Sequence, residues 1–208
     1  MQSVWVWSRA LMAAFVINLS GMSFYSAWAQ EASAGYAYSV DKAHSSIGFT
    51  VSHLVVSKTT GNFNDYDGQI QFNPDDLANA KFDFTVKVAG IDTKNEGRDK
   101  HLKGADFFDA EKYPDIVFKT SKIELQSGND YLVTGELTMK GVTKELQLPV
   151  KIAGPVPNPM GGGQVLGIES HFVINRQDYG VSWNKTMDNG GVVVGNEVKI
   201  AVIIEAHK

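Results

Sequence analysis

The 208-residue chain contains no cysteine. That excludes disulfide staples, thiolate nucleophiles, Cys-ligated zinc and iron–sulfur clusters, so stability must come from packing and from closing sheet edges. A basic excess is also missing. The 19 Lys and Arg stand against 23 Asp and Glu, a net charge of −4, which suits neither nucleic acid nor an anionic membrane surface as a partner. Charge is scarcest at the start, where Arg9 is the only charged side chain in the first thirty residues. What the chain does have is apolar material. Hydrophobic residues make up 43% and aromatics 11%, ample for a packed core and against disorder. The length fits one domain, or two small ones at most.

The charge-poor start has its own logic. Arg9 is followed by an apolar run, Ala10 to Leu19, then by small residues at Gly21, Ser23 and Ser26, and then by Ala27-Trp28-Ala29. This is the layout of a signal peptide with an A-x-A cleavage pattern. Residues 1–29 are expected to be removed between Ala29 and Gln30, leaving 30–208 as one exported domain without stable membrane insertion. The alternative is an uncleaved anchor, but the run is short for a span of roughly 20 residues and contains Asn18. Cleavage removes Arg9 and no acid, so the net charge of −4 becomes −5.

Beyond that segment the pattern is alternation with period two. Ile47, Phe49, Val51 and His53 share one face, as do Tyr66, Gly68, Ile70 and Phe72. The same holds for Phe82, Phe84, Val86 and Val88, and for Ile116, Phe118 and Thr120. Tyr131-Val133-Gly135-Leu137, Leu146-Leu148-Val150-Ile152, Leu166-Ile168-Ser170-Phe172-Ile174 and Val198-Ile200-Val202-Ile204 complete about eight strands. Turn residues separate them: Gly61-Asn62, Asn73-Pro74, Ser127 to Asp130, Gly161 to Gly163. Short links make the neighbours antiparallel, closing as a barrel or packing as a sandwich. Strands of this length favour the barrel. Pro155, Pro157 and Pro159 predict a surface loop. Asn73 can cap a turn opened by Pro74. Thr93-Lys94-Asn95-Glu96 has the form of a capping box, so a helix is expected from about Lys94 to Leu102, stopping at Gly104. Asp109 can cap one further turn that ends before Pro114. The fold class is therefore all-β, with one or two short helices.

Catalytic and metal motifs are thin. His44 and His53 lie an odd number of residues apart and so face opposite sides of a regular strand. His101 sits beside Arg98 and Asp99, and His171 alternates out of phase with Phe172. There is no H-E-x-x-H and no helical His pair, which makes isolated surface histidines the ordinary reading. Ser45 follows His44 without a nucleophile elbow. Glu169 and Asn196-Glu197 occupy polar strand positions. Gly161–Gly163 and Gly190-Gly191 lack a following helix and read as turns. Asn184-Lys185-Thr186 has the form of a glycosylation acceptor, which matters only in a eukaryotic secretory route. The densest segment is Arg98-Asp99-Lys100-His101-Leu102 followed by Asp106-Phe107-Phe108-Asp109. It reads either as a plug that seals one barrel end or as a polar mouth whose Arg98 and His101 meet a ligand head group.

Several blocks together resemble the YceI-like family. They are Asp41-x-x-His44-Ser45-x-Ile47-x-Phe49-x-Val51-x-His53, Gly61-x-Phe63, Arg98-Asp99-x-His101-Leu102 with Asp106 to Asp109, and Tyr113-Pro114-x-Ile116-x-Phe118. Gly135-x-Leu137 to Lys144, Asn175-Arg176-x-Asp178-Tyr179-Gly180-Val181 and Val194 to Val198 follow in order. The resemblance implies an eight-stranded lipocalin-like antiparallel barrel, export to the bacterial periplasm, and binding of a polyisoprenoid or other long-chain lipid in the lumen. It implies no catalytic set, and a homodimer is possible by analogy. The residues expected to line the lumen are Ile47, Phe49, Val51, Ile70, Phe72, Phe82, Phe84, Val86, Phe118, Leu148 and Val150. His53, Arg98 and His101 are the head-group candidates. No catalytic residue, cofactor, metal or nucleic-acid partner is expected. Pattern alone leaves a packed core and a lined tunnel both open. Two other functions stay open beside a lipid carrier: a quinone-linked redox accessory to a membrane cytochrome, and a ligand-free barrel that binds a protein.

Overall fold

The computed structural model describes residues 36–186 and 192–208. The expected cleavage site at Ala29 and the Gly190-Gly191 turn lie outside the described residues. Among the described residues the strands are β1 (Ala37–His53), β2 (Ser57–Phe63), β3 (Tyr66–Gln71), β4 (Lys81–Lys87), β5 (Ile91–Asp92), β6 (Asp115–Ser127), β7 (Asp130–Met139), β8 (Val142–Pro157), β9 (Gln164–Asn175) and β10 (Val194–His207), with one α-helix, α1 (Glu96–Lys103). Eight strands pair antiparallel in the ring β1-β3-β4-β6-β7-β8-β9-β10, and β10 closes on β1. The antiparallel all-β barrel expected from strand length and from the family resemblance is the observed fold. Closure removes the edges that a cysteine-free domain would otherwise leave open.

β1 is long enough to serve three neighbours. Its start pairs with β3 through Ala37↔Gln71, its second half pairs with β2 from Ile47↔Phe63 to His53↔Ser57, and its other edge runs along β10. β2 and the two-residue β5 are additions to the expected strands. Gly61 and Asn62, expected to turn, sit inside β2. The turn falls instead at Leu54–Val56, where Leu54 and Val55 adopt φ of 51° and 65°. A β-branched residue resists that conformation; the main chain is held there by Leu54 N–H donating to the Val193 carbonyl at 2.9 Å. The expected proline loop is also corrected. Pro155 and Pro157 belong to the end of β8, after the ladder breaks between Ala153 and Val156, where a missing N–H costs little.

Bulges explain phase changes that simple alternation would not. At Ser121 the register slips, so Ile116 and Phe118 face inward before the slip and Ile123 after it. One barrel end is packed shut. Phe72 lies 5.8 Å from Phe82 and 5.7 Å from Tyr131, ring centre to ring centre, with Tyr38, Ile70, Ile152 and Leu166 buried around them. The other end is covered by α1 and the Gly104–Tyr113 segment.

Candidate functional site

The interior between the packed end and α1 is hollow. The cavity is walled by Ile47, Phe82, Phe84, Val86, Phe118, Val133, Leu148, Val150 and their neighbours, and Ser170 is its one polar side chain. That hydroxyl is spent, donating to the Pro149 carbonyl at 2.7 Å. The wall therefore offers no free hydrogen-bonding group, as expected of a site for hydrocarbon. The cavity volume is ≈ 130 Å³. A second void of ≈ 80 Å³ lies beneath α1 and shares Phe63, Met139, Ile174 and Ile200 with the first. A third is lined in part by the exposed residues Ser52, Gly97 and Arg98 and shares Phe49, Val51, Leu102, Phe107 and Val194 with the second. Together they trace a path from the lumen, under the helix, to a mouth.

The ring of one phenylalanine lies flat against a glycine on the next strand. A Cβ on Gly68 would stand 2.5 Å from the Phe84 ring, and Gly68 and Phe84 are register partners. The missing side chain lets the ring fold down along the wall instead of across the lumen.

The lid is held by polar bonds more than by burial. α1 has no buried residue. Asn95, not the expected Thr93, is its N-cap and accepts from Arg98 N–H at 2.9 Å. Thr93 is instead the anchor beneath the helix. Arg98 donates to the Thr93 hydroxyl and carbonyl, both at 2.7 Å, and Asp99 accepts from the Thr93 N–H at 2.9 Å. Gly104 ends the helix as expected. Asp109 forms its turn with the main chain, its carbonyl accepting from Lys112 and Tyr113 N–H. Phe107 is buried and packs 5.2 Å from Trp183, while Phe108 meets Phe63 edge-on at 6.1 Å. The segment thus both covers the barrel end and walls the path.

Of the expected lumen residues, Ile47, Phe82, Phe84, Val86, Phe118, Leu148 and Val150 border the inner cavity, and Phe49 and Val51 border the path outward. Ile70 and Phe72 border neither; they fill the packed end, because the end of β3 pairs with the start of β1, Tyr38 opposite Ile70. His53, Arg98 and His101 all stand at the mouth. Arg98 is committed to Thr93, and His101 lies 3.2 Å from Asp106 with its ring edge-on to Phe107 and Trp183. Sequence reasoning missed Val133, Leu137, Phe172 and Ile200, which lie on strand faces it had already identified. Trp183 gave no periodic signal, since it follows Gly180 in irregular chain.

Arg176 was likewise missed as an organiser of the mouth. It is 5% exposed and donates to the carbonyls of Val181 (2.6 Å), Trp183 (2.9 Å) and Gly195 (2.9 Å). Burial pushes its guanidinium down from the ordinary value. These bonds tie the chain around Trp183 to the start of β10, both parts of the mouth.

A family model for the YceI-like domain matches residues 38–206. The chain belongs to the YceI-like family. A UPF0312 protein of Staphylococcus aureus (strain MRSA252) is 39% identical over 168 residues, which are 81% of this chain and 95% of the relative. Among solved structures, the YCEI protein of Campylobacter jejuni is 34% identical with a TM-score of 0.65, covering 82% of this chain and 97% of its own. Burkholderia cenocepacia BcnA is 28% identical with a TM-score of 0.70, covering 80% and 98%. A polyisoprenoid binding domain from Saccharophagus degradans, implicated in plant cell wall breakdown, is 15% identical with a TM-score of 0.62, covering 83% and 98%. It shares the fold.

Proposed function

We propose that this YceI-like chain is an exported, periplasmic carrier of a long-chain apolar lipid of the polyisoprenoid class, and not an enzyme. The observation that carries the reading is the apolar lumen whose wall presents no free polar group. The polyisoprenoid binding of a protein with the same fold supports it, as does the signal-peptide pattern ending at Ala29. Each buried CH₂ is worth about 0.8 kcal/mol, so a five-carbon isoprene unit gains roughly 4 kcal/mol gross.

The size of the lumen sets a condition on binding. A void near 150 Å³ holds about one benzene-sized group, so a long chain enters only as rings such as Phe49 and Phe118 swing aside and the lid lifts. The tail then lies in the lumen and the path under α1, while a head group meets His53 and His101 at the mouth. Arg98 holds the lid through Thr93.

The test is organic extraction of the purified protein, followed by mass spectrometry. A stoichiometric isoprenoid supports the carrier. A bound quinone turns the reading towards a redox accessory. A lipid-free protein that takes up no isoprenoid leaves a packed scaffold and overturns the proposal.

A further inference from the structure

At the opposite end of the β1–β10 seam from the mouth, the ladder carries a large bulge. Asp41 faces Glu205 and Ser46 faces Ile203, so Lys42, Ala43, His44 and Ser45 stand against Ile204 alone. On a regular strand, residues 41 and 44 would face opposite sides. The bulge turns His44 back beside Asp41, a common use of such irregularities.

Three donor side chains, Asp41, His44 and Glu205, meet there from two strands, and His207 flanks the two carboxylates. His44 Nδ1 is 2.8 Å from Asp41 Oδ2 and 4.0 Å from Glu205 Oε1. His207 Nε2 is 2.8 Å from Glu205 Oε1 and 3.6 Å from Asp41 Oδ2. The ligand atoms of Asp41, His44 and Glu205 all lie within 4.8 Å of one another. An outer layer fixes the two strands. Ala43 N–H donates to Asp41 Oδ1 at 2.8 Å, and the Ser45 hydroxyl donates to the Glu205 carbonyl and accepts from the Glu205 N–H.

Charge says what fits between them. Two carboxylates and two neutral imidazoles sum to −2, and the nearby ammonium of Lys42 is paired instead with Asp67 at 3.5 Å. A dication neutralises the set. A tetrahedral zinc ion with bonds of about 2.0–2.1 Å places its ligands about 3.3–3.4 Å apart; the four distances above straddle that value. Mixed imidazole and carboxylate donors suit zinc-like transition ions more than calcium or magnesium. We propose that Asp41, His44 and Glu205, with His207 at their side, form a binding site for one divalent transition ion of the zinc class. The ion would clamp β1 to β10 across the seam that closes the barrel. This site is separate from the lumen and does not depend on the lipid reading.

The test uses the chain purified without a polyhistidine tag, stripped with a chelator and titrated with zinc chloride by calorimetry and thermal melting. One zinc per chain and a raised Tm are expected, with proton release that grows as pH falls towards the histidine range. His44→Ala with His207→Ala should weaken binding by at least the about 10–100-fold that follows loss of an outer partner of a metal ligand and abolish the Tm rise. Asp41→Asn, which keeps the side-chain shape, should do the same should the double variant fold poorly. His101→Ala and His171→Ala should leave the titration unchanged. Wild-type zinc binding no tighter than that of the folded site variants overturns the proposal.

Discussion

Single residues decide whether this barrel is hollow. Gly68 matters by having no side chain: Gly68→Ala drives a methyl into the Phe84 ring, and the flexible ring yields towards the lumen. Such overpacking costs about 1–3 kcal/mol. The variant should fold, melt a few degrees lower, and take up less of an apolar fluorescent probe than the wild type; undiminished uptake would mean that the lumen is not the binding space. Arg176 carries the opposite burden, because its loss orphans several carbonyls at once. Charge-assisted bonds are worth about 1.5–3 kcal/mol each, but removing the charge also relieves its desolvation. Arg176→Met should therefore lose about 2–4 kcal/mol in urea unfolding. At the bulge, the hydrogen bond to Asp41 and its charge hold His44 above the ordinary imidazole value of 6.5 and lower Asp41. Any stability from His44 is thus full below pH 6.5 and lost as pH rises through its raised value, while that from Asp41 is lost as pH falls through its lowered one. Proton NMR in metal-free buffer should find His44 titrating above 6.5, and back near it in Asp41→Asn.

Elements were legible from the sequence to unequal degrees. Strand faces were readable wherever one side is buried and the other wet, and so β4, β7, β9 and β10 and most lumen residues follow from alternation. β2 was hidden because its glycine and asparagine mimic a turn, while the real turn uses Leu54 and Val55. The packed end was hidden for another reason: alternation says that Ile70 and Phe72 point inward, but not at which height in the barrel they point. His44 and His207 come from the two ends of the described chain, and only the closing seam and its bulge unite them. The helix was found by its capping residues, yet its cap is Asn95, because Thr93 faces inward to bond Arg98 and Asp99. With no buried residue of its own, α1 should open at lower free energy than the barrel strands. Hydrogen exchange should show α1 amides exchanging faster than those of β7. Thr93→Val should speed them further and accelerate probe release from the lumen.

The whole molecule is a closed barrel sealed by aromatics at one end and by a polar-latched lid at the other. Among the described residues no helix is long and apolar enough to cross a membrane. The interior is hydrophobic without being solid, and this is the property on which the carrier reading depends. It is tested most directly by filling the lumen. Val133 is 1% exposed and borders the inner cavity, and Val133→Trp puts an indole where the tail should lie. Delipidated wild-type protein should bind one isoprenoid chain per barrel, and the folded Val133→Trp variant should bind far less. Equal binding by the two proteins would place the ligand outside the lumen and contradict the account.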